Sequence, residues 1–125
     1  NALACTATNW TSQGGLTQFG MGFSSNTAGS TDDTLFIAGG AAVSTSNSTL
    51  ATLNTGTMQS MTVGTVTGWP ELTGTGNAEL WGWFPDETAP RVEQINKTSG
   101  AAITTFTLPS LAGMPSSWAS AWARG

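Results

Sequence analysis

A short pattern returns along this chain at intervals of about 42 to 51 residues, and few folds accommodate such a return. Leu35-Phe36-Ile37, followed by Leu50-Ala51-Thr52-Leu53-Asn54-Thr55, matches Leu80-Trp81-Gly82-Trp83-Phe84, followed by Val92-Glu93-Gln94-Ile95-Asn96-Lys97. Leu35 to Leu80 is 45 positions, and Leu53 to Ile95 is 42. A third element accompanies these copies: Phe19-Gly20-Met21-Gly22-Phe23, then Glu71-Leu72-Thr73-Gly74, then Trp118-Ala119-Ser120-Ala121-Trp122. A repeat of this length, made of short strands and Gly/Ser/Thr turns, reads as one propeller blade per unit.

Helical signals are nearly absent, because no window holds an apolar stripe at helical spacing for three turns. Strands are predicted near 17–23, 33–38, 48–54, 59–66, 70–74, 78–84, 90–96, 101–108 and 117–122, with a loop over 110–116 fixed by Gly113 and Pro115. In Leu80-Trp81-Gly82-Trp83-Phe84 the tryptophans point one way and Leu80 and Phe84 the other, so both faces are apolar. Leu35-Phe36-Ile37 behaves similarly. A strand apolar on both faces belongs to a sheet packed between neighbours. Turn chemistry recurs at Leu53-Asn54-Thr55-Gly56 and at Ile95-Asn96-Lys97-Thr98-Ser99-Gly100, where Asn caps the turn and Gly supplies positive φ. The expected fold is all-β: antiparallel propeller-blade-like repeats, two full units and the start of a third, not closed within one chain. An N-terminal segment 1–14 precedes a β-repeat domain 15–125, with units about 15–69 and 70–116 and a partial unit 117–125.

Charge narrows the partners. Only 8% of residues are charged, against roughly 25% in ordinary soluble domains, so polarity must come from Thr, Ser, Asn and Gln. That composition suits a secreted or assembled protein. Three basic residues, Arg91, Lys97 and Arg124, cannot neutralise a phosphate backbone or hold an anionic membrane surface. No run of roughly 18 apolar residues is present to form a spanning helix, so membrane insertion is not expected.

The chemistry-bearing residues are few. Histidine is absent, which removes Ser-His-Asp and Cys-His arrangements and, with a single cysteine, a zinc site. Asp32-Asp33 and Asp86-Glu87 read as solvated turns, with calcium the sharper alternative; Glu71 and Glu79 could meet across paired strands as a hydrolytic pair, but nothing beyond their charge supports that role. No catalytic residue, metal or cofactor is therefore expected. Cys5 is the lone cysteine and a candidate interchain disulfide, with a buried free thiol as the alternative; Ala2-Leu3-Ala4-Cys5 resembles a lipoprotein cleavage box without its apolar approach. Asn9-Trp10-Thr11, Asn47-Ser48-Thr49 and Asn96-Lys97-Thr98 match the N-glycosylation pattern, which a Ser/Thr-rich chain produces by chance.

Thr73-Gly74-Thr75-Gly76-Asn77-Ala78-Glu79-Leu80-Trp81-Gly82-Trp83-Phe84, then Val92 to Ala101 and Leu108-Pro109, resembles the repeat of predicted secreted or surface β-propeller-like proteins of myxobacteria. In that pattern a TGTG…L(F/W)GFF strand precedes a V…ID-x-x-TG hairpin, an LP strand end and an aromatic WAF-x-(F/W) strand. Ser117-Trp118-Ala119-Ser120-Ala121-Trp122 is similar to the last element, and Phe19 to Phe23 to its counterpart one unit earlier. The resemblance runs from about Gly15 onward and implies the fold and an extracellular or cell-surface setting; no catalytic residues come with it.

The expected role is non-catalytic and structural: a self-assembling subunit, homo-oligomer or polymer, built as a ring or filament. The alternative is a glycan- or protein-binding module. For binding, Trp10 and Trp69 are the candidate surface residues, at the rims of loops, while Trp81, Trp83, Trp118 and Trp122 read as blade core.

Overall fold

The structure, a computed structural model, describes residues 4–41, 46–86, 89–113 and 119–121. Among them are eight strands and no helix: β1 (Gln18–Ser25), β2 (Asp33–Gly40), β3 (Asn47–Asn54), β4 (Gln59–Thr67), β5 (Glu71–Gly74), β6 (Leu80–Phe84), β7 (Arg91–Ile95) and β8 (Ala102–Thr107). They form two four-stranded antiparallel meanders, β1-β2-β3-β4 and β5-β6-β7-β8, neither of which closes into a barrel. Eight of the predicted strands are present within three residues at each end. The ninth, over 117–122, is described only at 119–121, which carry no strand; Trp118 and Trp122 lie outside the described residues.

Alternation along β2 and β6 decides how the sheets meet. Phe36 and Ala38 on β2, with Leu50 and Val66, pack against Leu72, Leu80, Phe84 and Ile95 of the second sheet. The opposite face of the first sheet packs Ile37 and Ala51 against Leu16, with Trp10, Phe19 and Leu53 around them. The first sheet is thus covered on both apolar faces, one by the second sheet and one by Trp10 and Leu16 ahead of β1. Gln13 ties that segment down: its side-chain amide donates to the Met58 carbonyl (2.7 Å) and accepts from the Ser60 amide (2.8 Å).

At their first strands the sheets approach to backbone contact. A Cβ on Gly22 would lie 2.8 Å from the Leu72 carbonyl and the Thr73 Cα, and one on Gly20 would overlap the Pro70 carbonyl. At the far side Gly64 of β4 gives the same room to the Ser99 carbonyl in the β7–β8 turn. Two of the three basic residues then fasten the sheets. Arg91 lies 4.0 Å over the Phe84 ring, pairs through Nε with Glu93 (2.6 Å), and donates through Nη2 to the Thr67 carbonyl (2.7 Å). Lys97 Nζ crosses to the end of β1, donating to the Ser25 carbonyl (2.8 Å) and Ser24 Oγ (3.3 Å). Burial lowers the Lys97 pKa.

The two Asn turns are built alike. Asn54 Oδ1 accepts from the Gly56 and Thr57 amides, and its carbonyl accepts from Met58. Asn96 Oδ1 accepts from Thr98, and its carbonyl accepts from Gly100. Positive φ falls four residues after each Asn, on Met58 (56°) and Gly100 (80°). In the first turn it is therefore Met58, not the expected Gly56, that is left-handed.

The backbone contact makes a clear prediction. Gly22→Ala should lower stability by about 1–3 kcal/mol, since the added methyl meets backbone that cannot rotate away. Gly76→Ala, where nothing lies within 4 Å, should change it by less than about 0.5 kcal/mol. Urea denaturation of both variants measures the difference.

Candidate functional site: the open face of the second sheet

Pairing fixes which positions of the two sheets match. Leu35 lies opposite Leu53 and Leu80 opposite Ile95, each one residue before its turn Asn. Phe36 therefore matches Trp81, and Ala38 matches Trp83. Phe36 and Ala38 are buried against the second sheet. Trp81 and Trp83 occupy the same positions on the face of the second sheet that points away from the first, and both are half-buried.

That face holds a groove of about 420 Å³, lined by Thr73, Trp81, Trp83, Val92, Phe106 and Ser120 among others. Trp81 stacks on Phe106 at 6.1 Å with 28° between the rings. The Trp81 indole donates to Glu79 Oε2 (3.2 Å), which also accepts from Thr75 Oγ1 (3.1 Å), so the ring is held from the β5–β6 turn. Ser120 Oγ donates to the Glu71 carbonyl (3.5 Å), which brings the chain beyond β8 back alongside β5.

The three glycines that seat the second sheet on the first have no counterparts on this face. Gly22 lies opposite Phe36 and Gly20 opposite Ala38. Thr73 lies opposite Trp81 and Glu71 opposite Trp83. Gly64 lies opposite Leu50, and Phe106 opposite Val92, which matches Leu50. Where the first sheet offers bare backbone at three points, the second carries Glu71, Thr73 and Phe106. An identical sheet cannot settle on this face at the same distance.

β8 borders the groove, and all six of its residues are exposed. Ile103 (57%), Phe106 (54%) and, just beyond the strand, Leu108 (41%) are among the exposed large apolar side chains. No charged residue lies between Lys97 and Arg124.

The residues singled out from the sequence lie elsewhere. Trp10 is half-buried, its ring edge-on to Phe19 at 5.7 Å, and forms part of the cover on the first sheet. Trp69 is half-buried and lies over Gly40. Cys5 is exposed. Asp33 accepts from Ser25 Oγ (2.8 Å) and Asp86 from the Ala89 amide (3.0 Å), while Glu87, Ala2 and Leu3 lie outside the described residues. Glu71 and Glu79 do not face a common space: the first meets the Met21 backbone and the second the Trp81 indole. Sequence reading missed Phe106 as a surface ring; its place in a Thr-rich strand was the available signal. A second cleft, about 450 Å³, opens between β4 and the β7–β8 hairpin around Arg91 and Glu93. Both of those side chains serve the inter-sheet clamp.

Burial raises the Glu71 pKa, opposed by the hydrogen bond from the Met21 backbone. A carboxyl whose pKa is raised on folding contributes stability that is fully present below its unfolded value and lost as pH rises through the folded one. Glu71→Gln should therefore gain stability over the parent at neutral pH, with the advantage disappearing as pH falls toward about 4. Thermal melts of the two proteins from acid to neutral pH read this directly. Compared with protein families, with curated proteins and with solved structures, the chain matches none.

Proposed function

We propose that this chain is a non-catalytic, extracellular or cell-surface β-repeat protein whose sheets are propeller-blade-like units, and that it acts as a self-assembling structural subunit. The observation that carries the reading is the second sheet's outer edge: an uncharged, wholly exposed strand, β8, beside an aromatic groove. Free edges template pairing with other chains, and soluble proteins ordinarily blunt them with Lys, Pro or a cover. The absence of histidine supports the non-catalytic part. The extracellular setting rests on the Ser/Thr-rich, charge-poor composition and on the resemblance to secreted repeats.

A second reading, a glycan- or protein-binding module, is favoured by one feature: Trp81 and Phe106 form a fixed aromatic platform in the groove. Planar rings of this kind stack on the apolar faces of sugars and on apolar side chains.

Light scattering after size exclusion, over a wide concentration range and with reductant present, tests the assembly reading. An oligomer that persists in reductant is expected. A monomer at every concentration would overturn it. Titration with soluble oligosaccharides tests the second reading, which expects a change in tryptophan fluorescence that Trp81→Ala abolishes.

A further inference from the structure

The four sheet edges are not equally available. On β1 the Met21 backbone is held by the Glu71 carboxylate and the Ser25 amide donates to the Thr75 carbonyl (3.4 Å). On β4 the Ser60 amide donates to Gln13 Oε1 (2.8 Å) and the Thr65 amide to the Ser99 carbonyl (3.3 Å). On β5 the Glu71 carbonyl accepts from Ser120. Among the described residues, no other part of the chain hydrogen-bonds to the outward backbone of Ala102–Thr107. Among the described residues β8 is the edge whose outward side takes no backbone hydrogen bond from elsewhere in the chain, and its one blunting feature is the bulge at Ile103.

We infer that a second copy of this chain pairs with it there, β8 against β8 in antiparallel register, joining two four-stranded sheets into one of eight. This rests on the assembly reading and gives it a partner and a symmetry. A face-to-face stack of identical sheets at the spacing of the first two is obstructed at Thr73 and Phe106, which favours the edge. Pairing a strand with its own copy about a two-fold axis is isologous and closed: it produces a dimer, where head-to-tail contacts would produce a ring or fibre. The sequence of β8 suits the joint. It is Ala-Ile-Thr-Thr-Phe-Thr, β-branched or aromatic at five of six positions and without Gly, Pro or charge.

The geometry has a consequence for the groove. A two-fold axis normal to the joined sheet keeps like faces on the same side. Residues paired across the joint then share a face, so Trp81 and Phe106 of both copies lie on the same side of the joined sheet. The two aromatic grooves open side by side on one surface. Ile103 sits on a bulge, between Ala102, which pairs with Ile95, and Thr104, which pairs with Gln94. It is off the core and at the joint, which makes it the position to charge.

The test uses the full chain with Cys5→Ser, so that no native thiol confuses the result. Light scattering gives the dimer's midpoint concentration for this protein and for Ile103→Lys, which places like charges at the joint and should raise the midpoint by about tenfold or more. Single cysteines at Thr104, Thr105 and Phe106 are then oxidised. Cα atoms opposed across antiparallel strands are close enough for a disulfide, so at least one should cross-link as a dimer. Met61→Cys, on exposed but guarded β4, should not. A monomer throughout would overturn the assembly reading as well as this one. An oligomer unmoved by Ile103→Lys and cross-linked at none of the three positions would leave self-assembly standing and overturn the β8 joint.

Discussion

The closeness of β1 and β5 sets the rest of the molecule. Backbone meets backbone there because Gly20 and Gly22 carry no side chain toward the second sheet. That spacing brings Phe36, Ala38, Leu50 and Val66 into contact with Leu72, Leu80, Phe84 and Ile95, forming one dry layer between two meanders. It also permits the Ser24 hydroxyl to reach the Glu79 carbonyl (2.9 Å) and the Ser25 amide to reach Thr75. Each four-stranded meander alone would have at least one apolar face in water. Together they bury it.

A chain with so few charges places the ones it has with consequence. Glu93 is buried, and Arg91 pairs with it from the partly exposed wall of the cleft beside β4. Removing one partner of a buried pair leaves the other desolvated and uncompensated. Arg91 also stacks on Phe84 and reaches Thr67, so a single side chain joins the second sheet's core to the last strand of the first. Lys97 does the equivalent at the opposite end, from the β7–β8 turn to the end of β1. Hydroxyls and amides supply most of the polar groups, and β8 carries none of the charges that would keep another strand away.

The strands were legible because their signals are local. Alternation through Leu35-Phe36-Ile37 and Leu80 to Phe84 identifies strands with two apolar faces, and Asn54 and Asn96 mark the turns between them. What was not legible depends on contacts between distant segments. Nothing near Trp10 in sequence indicates that it packs on Phe19 and shields the first sheet. Gly20 and Gly22 look like ordinary strand glycines until β5 is seen against them. The same pattern that marks Phe36 as core marks Trp81 as core. Only the arrangement of sheets shows that one faces a neighbour and the other borders a groove.

Native-state amide hydrogen exchange tests most directly whether the inter-sheet contact holds the two sheets as one body. The slowest amides of Ile37 and Leu50 in the first sheet and of Leu80 and Ile95 in the second should open with a single common free energy. If the second sheet's amides exchange through a separate opening, well below that of the first, the sheets are independent units and the contact is not what holds the fold together.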